Sequence, residues 1–339
     1  MTVERIDCAN DPRAIAYRDL RDGDLLRGRG LFAAEGRVIV RRLIEDGRCV
    51  VHSLLVNDAA LRDLERAIAR LDGAVPIFVC PTEAFLGLTG FDLHRGCVAL
   101  MHRPPATPVD AVIAAARTLV VLEGIGNADN VGGVFRNAAA FSADGVLLSP
   151  SCCDPLYRKA IRTSMGAVLH VPFARAGDDD WPAVLKRVRA AGFTIVALTP
   201  REPAETLEEF AARWDREGPP KGGRHVLPEG PPEGGRHVLE YVASGFVTDV
   251  ALAESVSRTS RIAPHVASGF VTDVALAEPV SRTSRIALII GSEGAGLTPA
   301  VEAAADHRVR IPISGRVDSL NLAVAAGIAL HALRKNREL

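Results

Sequence analysis

From Thr118 to Arg334, short apolar runs of buried type alternate with segments whose apolar residues recur at helical spacing. That alternation leaves few folds open. Strands joined by helical crossovers of about 10–15 residues pair in parallel, within a sheet that helices cover. The runs predict strands at Thr118–Leu122, Gly145–Ser149, Leu169–Phe173, Phe193–Leu198, Ala287–Gly291 and Arg308–Ile311. Helices are expected over Val131–Phe141, around Leu156–Met165, over Trp181–Ala191, from Pro299, and over Ser319–Arg334. The fold class is therefore α/β, with a C-terminal parallel sheet and helices on both faces.

The first hundred residues show the same two periodicities on a smaller scale. Helical spacing covers Arg37–Asp46, Leu61–Leu71 and Thr82–Leu88, and strand-like runs cover Val50–Val56, Val75–Val79 and Cys97–Met101. A small α/β domain over residues 1–103 is expected. Proline fixes φ and lacks a donor, so Pro104-Pro105-Ala106-Thr107-Pro108 opens a stiff linker, placed at 104–117. The second domain then runs over 118–339.

One stretch interrupts the second domain. Val242–Ala263 recurs as Val266–Ala287 with a single difference, Ser255 against Pro279, and Pro219–Leu227 recurs as Pro231–Leu239 with Lys221 against Glu233. Solenoid repeats diverge while keeping a pattern. Two near-identical copies indicate duplication of a loop, so a Gly- and Pro-rich surface insertion is expected at about 202–265.

Composition limits the partners. The formal net charge is −1, so any nucleic-acid surface must be a local arginine patch rather than a bulk field. No apolar run reaches the roughly 20 residues that span a bilayer, and the first residues, MTVERIDCANDPR, carry no apolar signal core. A cytoplasmic protein without a membrane partner is expected. Cys8, Cys49, Cys80, Cys97, Cys152 and Cys153 form no C-x-x-C pair. Free thiols and no metal follow from that spacing.

Three segments carry candidate chemistry. Glu123–Asp144 follows a strand and opens a helix, where α/β folds place ligands, but Asp129 replaces the third glycine of a dinucleotide fingerprint. Asn130 and Arg136 stand six apart and do not share a helix face; Asn130 is expected at the N-cap, with Arg136 projecting. Leu288–Leu297 is a buried run ending in a glycine-rich turn with one acid, Glu293. In Val309–Leu330, a short strand ends at Pro312, Ser319 is expected to cap a helix rich in small residues, and Asn321 to lie in its first turn. Each segment alone is also an ordinary capped helix or turn.

Taken in order, N-x-G-x-x-x-R, G-S-E-G-x-G-L and R-I-P-I-x-G-x-x-D-S-L-N resemble the three motifs of the SpoU (TrmH) family of RNA ribose methyltransferases, within the SPOUT superfamily. Asn130, Gly132 and Arg136 match the first. Gly291, Glu293, Gly294, Gly296 and Leu297 match the second, and Pro312, Ser319, Leu320 and Asn321 the third. Leu31–Gly36 (LFAAEG), Leu88-Thr89 and His94-Arg95-Gly96 more loosely resemble the ribosomal-protein-like RNA-binding domain that precedes many such domains. Arg95 stands where many relatives carry Gln. Ser142 stands where glycine is common after the Phe of the first motif, at a helix end that tolerates it.

The resemblance implies a deep trefoil knot, with Gly291–Leu297 and Ile311–Asn321 folded into a bent S-adenosylmethionine pocket. Leu198, Thr199, Gly291, Glu293, Gly296, Ile311, Pro312, Ser319 and Leu320 would contact the cofactor. Arg136, Asn130, Glu293, Ser319 and Asn321 would serve catalysis, in a homodimer formed through the knotted domain. The implied reaction is methylation of a ribose 2′-hydroxyl in RNA, ribosomal before transfer RNA. Two other classes stay open from the residues: an RNA-binding ribosome-assembly factor without catalysis, and a nicotinamide-dependent enzyme, which the missing glycine fingerprint disfavours.

Overall fold

Five strands of the amino-terminal part form a mixed sheet in the computed structural model, which describes residues 3–6, 11–18, 20–89, 96–217 and 285–334. They are β1 (Val3–Arg5), β2 (Leu31–Glu35), β3 (Val51–Val56), β4 (Ile77–Val79) and β5 (Cys97–His102), in the order β1-β4-β3-β5-β2. Helices α1 (Asp22–Gly28), α2 (Arg37–Asp46), α3 (Asp58–Ile68) and α4 (Thr82–Thr89) accompany it. Helix α2 matches its expected bounds because glycines bracket it: Gly36 and Gly47 take φ of 91° and 68°, values that side chains disfavour. Helix α3 starts three residues before the apolar pattern does, since the Asn57 side chain accepts from the Ala60 N–H at 2.8 Å and caps it. Gly96, φ 55°, lies against that cap; a Cβ there would come within 2.1 Å of Asn57 Nδ2. His94 and Arg95 lie outside the described residues.

The larger sheet contains β6 (Thr118–Leu122), β7 (Gly145–Leu148), β8 (Phe173–Arg175), β9 (Phe193–Leu198), β10 (Glu205–Thr206), β11 (Arg285–Ile290) and β12 (His307–Arg310). Their order is β10-β12-β9-β11-β6-β7-β8, and every neighbouring pair is parallel. Strand side chains alternate between two cores. Val120, Leu122, Leu148, Val196, Leu288 and Ile290 pack with α6 (Ala128–Ala140), α7 (Arg158–Thr163) and two later helices. Leu119, Val121, Leu147, Ile195, Ala197 and Ile289 pack on the opposite side with α5 (Val109–Ala115) and α8 (Val184–Ala190). A sheet buried on both faces reads as near-continuous apolar runs, which is why β6 and β9 match their sequence bounds.

Several expectations are corrected. The run Leu169–Phe173 is not one strand: Gly166, φ 86°, starts a 3₁₀ turn over Ala167–Leu169 that buries Val168 and Leu169, and pairing begins only at Phe173. Residues 109–115 of the expected linker form α5, with Val112 and Ile113 buried in the second core. The expected start of the insertion is ordered: β10 is followed by α9 (Leu207–Glu217), which buries Phe210 and Trp214. The duplicated stretches lie outside the described residues up to Ser284, and the second copy ends in β11. Among the described residues no helix is long and apolar enough to cross a membrane. The five described cysteines are unbridged, Cys8 lying outside the described residues.

Candidate active site

Register brings the carboxyl ends of four strands to one edge of the larger sheet. Leu122 pairs with Ile290, Ile290 with Leu198, and Leu198 with Val309. The chain therefore leaves the sheet at Glu123, Gly291, Thr199 and Ile311 side by side. Ligands of parallel α/β sheets bind at this edge, where loops can converge without blocking the strands.

The loop after β11 is shaped by missing side chains. Ser292 and Gly296 form an antiparallel bridge, with Gly296 N–H donating to the Ser292 carbonyl at 3.0 Å. A Cβ on Gly291 would lie 2.3 Å from the Gly296 carbonyl carbon and 2.5 Å from Leu297 N, so the main chain crosses itself there. Gly294 and Gly296 take φ of 89° and 72°. The loop thus turns back on itself within seven residues, Gly291–Leu297, and glycine is required three times.

Helix α6 starts one turn earlier than its apolar pattern. Asn127, not Asn130, is the cap, its side chain accepting from Asp129 N–H at 2.9 Å. Asn130 instead lies inside the first turn and is buried. At the other motif, Ser319 is exposed and Asn321 is the cap of α11 (Leu322–Leu333), accepting from Ala323 and Val324 N–H at 3.0 and 3.2 Å. The preceding short helix is α10 (Pro299–Ala303). Helices α6 and α11 approach closely because a glycine stands at their contact: a Cβ on Gly133 would meet the Ala323 Cβ at 2.5 Å. Asn137 Nδ2 donates to the Ala323 carbonyl at 2.6 Å and pins the pair.

That approach joins the three motifs. Asn321 Nδ2 donates to Asn130 Oδ1 at 3.2 Å and faces Glu293 Oε1 at 3.4 Å, and Leu322 N–H points at the same carboxylate oxygen from 3.5 Å. One amide, capping a helix with its oxygen, ties the other two motifs with its nitrogen. The carboxylate of Glu293 sits at the positive end of α11, which favours its charge. Arg136 is not part of this network. It is exposed, about one and two-thirds turns further along α6, and makes no hydrogen bond or ion pair among the described residues.

The remaining candidates line the same edge. Leu198, Ile311 and Leu320 are half-buried, and Pro312 is exposed. Thr199 is buried; its N–H donates to the Val309 carbonyl and its hydroxyl to Glu302 Oε1 at 3.3 Å. Gly132 serves packing: a Cβ there would meet the Ala160 carbonyl of α7 at 2.5 Å.

Sequence reasoning missed the groups that brace the glycine loop. Buried Glu123 accepts from Thr298 N–H at 2.9 Å through one oxygen, and from the Thr298 hydroxyl at 2.8 Å and Trp181 Nε1 at 3.2 Å through the other. Arg201 donates to the Ala295 carbonyl at 2.8 Å and the Leu297 carbonyl at 3.3 Å. A single acid after a buried strand was the available signal for Glu123. Nothing in the sequence announces its partner, 175 residues away.

The fold and this edge define a parallel α/β protein with a glycine-shaped ligand cradle and a polar network beside it. The family model of the SpoU rRNA methylases matches residues 117–220 and 250–331, more than half of the chain. An uncharacterized tRNA/rRNA methyltransferase of Mycobacterium tuberculosis is 32% identical over 98% of this chain and 91% of its own length. The chain belongs to the SpoU rRNA methylase family. RlmP of Bacillus subtilis, a 23S rRNA guanosine 2′-O-methyltransferase, is 19% identical over 98% of this chain and 100% of its own. The same fold occurs in an AdoMet-bound rRNA methyltransferase from Sinorhizobium meliloti, TM-score 0.66 and 20% identity, covering 98% of this chain and 97% of that one.

Proposed function

We propose that this chain methylates a ribose 2′-hydroxyl of RNA, ribosomal RNA in particular, with S-adenosylmethionine as methyl donor. The observation that carries the reading is the Asn130–Asn321–Glu293 network, which assembles three motifs scattered over 192 residues beside the glycine loop. Two features fit the donor: glycine lets the Gly291–Leu297 loop turn tightly at the sheet edge, and half-buried Leu198, Ile311 and Leu320 offer apolar walls. When bound there, the sulfonium donor supplies an already activated methyl group, so alignment is the protein's main task.

The chain's own residues then divide that task. Thr199, Gly291, Gly296, Ile311, Pro312, Ser319 and Leu320 hold the cofactor, and Glu293 fixes the loop through Asn321. Asn130 and Asn321 orient the ribose. A ribose hydroxyl is a poor nucleophile until its proton leaves or its growing charge is balanced. An arginine stays protonated, so Arg136 holds a phosphate or stabilises the developing alkoxide. Its exposure on α6 leaves it open to RNA.

On the same reading the C-terminal chain is knotted. The protein is a cytoplasmic homodimer, for which exposed Val324 and Ile328, one turn apart on α11, offer an apolar contact. Residues 1–103, which carry their own five-stranded sheet, form the RNA-binding part. The test is methyl transfer from labelled S-adenosylmethionine to ribosomal and transfer RNA, with 2′-O-methyl sites mapped in RNA from a deletion strain. Arg136→Ala is expected to lose about 10²-fold or more in rate. Full activity in that variant removes Arg136 from the mechanism, and a missing transfer-RNA mark assigns the other substrate.

A further inference from the structure

Helix α7 lies between the first sheet and the first turn of α6, and its charged side chains reach both ways. Towards the first sheet, Arg162 pairs with Glu35 at the end of β2, and Arg158 Nε stands 3.3 Å from Asp22 of α1. Just before α7, Asp154 pairs with Arg103 at 2.9 Å. Towards α6, Lys159 Nζ lies 2.7 Å from Asp129 Oδ2, and the Thr163 hydroxyl donates to Asp129 Oδ1 at 2.9 Å. Both carboxylate oxygens of Asp129 are thus held by α7. The next residue is Asn130, whose side chain meets Asn321. The spacing between the helices is fixed as well, since Gly132 rests on the Ala160 carbonyl with no room for a Cβ.

These contacts form an unbroken physical path: Glu35, Arg162, α7, Lys159 and Thr163, Asp129, Asn130. Exposed ion pairs contribute little to stability, and the side chains of Arg162 and Lys159 are more than half exposed. Such pairs are better suited to setting orientation than to holding the fold. Lys159, with a smaller contribution from Thr163, also keeps the Asp129 carboxyl below the usual carboxylate range.

We propose that Lys159, Arg162 and Asp129 are positioning residues that couple RNA docked on the first sheet to the orientation of Asn130. The proposal rests on the methyltransferase reading for its substrate. RNA held by the first sheet would fix Glu35, and α7 would carry that fixation to the one turn of α6 that faces the ribose. Alignment at such a site is steeply coupled to rate, so each tie can bias turnover by as much as its own small free energy allows.

The experiment uses the full chain with Arg162→Met, Lys159→Met and Asp129→Asn, beside the conservative Arg162→Lys and Lys159→Arg. Three quantities are measured: kcat and KM for ribosomal RNA, affinity for S-adenosylmethionine by calorimetry, and amide hydrogen exchange in residues 128–132. The first three variants are expected to lose about 3–5-fold in kcat, the scale that a part-exposed ion pair can govern, with RNA KM and cofactor affinity within about twofold of the parent. Exchange in the first turn of α6 should quicken, and the conservative variants should recover most of both readouts. Unchanged kcat with unchanged exchange overturns the proposal. So does a loss confined to RNA KM, which makes these side chains phosphate contacts, or failure of Arg162→Lys and Lys159→Arg to rescue. If the parent chain transfers no methyl to any RNA, the methyltransferase reading fails on its own. Quickened exchange in Arg162→Met, rescued in Arg162→Lys, would still establish the mechanical path.

Discussion

Asn321 Nδ2 donates to Asn130 Oδ1 across 3.2 Å, and the same Asn321 caps α11 with its side-chain oxygen. The two duties are separable. Asn321→Ser keeps a capping oxygen but loses the amide donor to Asn130 and Glu293, and is expected to keep most of its thermal stability while losing about 10–100-fold in methyl transfer. Asn321→Ala loses both and should also give up about 1 kcal/mol of stability, the usual cost of a lost cap. Thermal denaturation and initial rates on the two variants check this. Equal rates for the parent chain and Asn321→Ser would remove the amide bridge from the mechanism.

Gly291→Ala places a Cβ against the main chain of Gly296 and Leu297, which cannot swing aside as a side chain would. The loop must open, at a cost of about 1–3 kcal/mol. Cofactor affinity, read by calorimetry, should fall at least about tenfold, since 1.4 kcal/mol corresponds to that factor. An unaltered affinity would show that this crossing does not shape the cofactor site.

Glu123 receives hydrogen bonds at both oxygens and donates none. Glu123→Gln is nearly isosteric but turns one acceptor into a donor, which then faces an N–H or a hydroxyl of Thr298 or the Trp181 indole. A loss of about 1–3 kcal/mol is expected in denaturant unfolding, with weaker cofactor binding through the loosened Thr298. A stability equal to the parent chain's would mean the brace is dispensable.

Ser142 follows the end of α6 with φ 55°, the left-handed region. Serine is strained there by about 1–2 kcal/mol, and glycine recovers this less its own entropy of about 0.5–1 kcal/mol. Ser142→Gly should therefore raise stability by about 0.5–1 kcal/mol and Tm by roughly 1–3 °C, with activity unchanged. A lower Tm would show that the serine side chain makes a compensating contact.

The sequence was most readable where a single local rule decides. Buried runs fixed β6 and β9, and two glycines fixed α2. It was least readable where two rules compete. Asn127 and Asn130 are both good caps, and so are Ser319 and Asn321; packing of α6 against α11 decides which one caps. The apolar run Leu169–Phe173 satisfies a strand pattern, but Gly166 starts a turn that buries its first residue by another route. Helix α9 went unread because the duplication beside it masked a pattern that ends with Phe210 and Trp214 in the core. Of the motif residues, Asn130, Glu293 and Asn321 lie within hydrogen-bonding reach of one another, while Arg136 stands apart. The brace of Glu123 on Thr298 was invisible, because it depends on strand register rather than on spacing.

The self-crossing of the chain at Gly291 and Gly296 has a further effect on how this protein can adapt. At Gly291, Gly294 and Gly296 a substitution must move the main chain rather than exchange one side chain for another. If the cofactor binds as proposed, gradual adjustment of its affinity would come from Leu198, Ile311 and Leu320, whose half-buried side chains can change size without moving the backbone. The loop behaves as a fixed mould, and its rim is the only part left for evolution or an engineer to file.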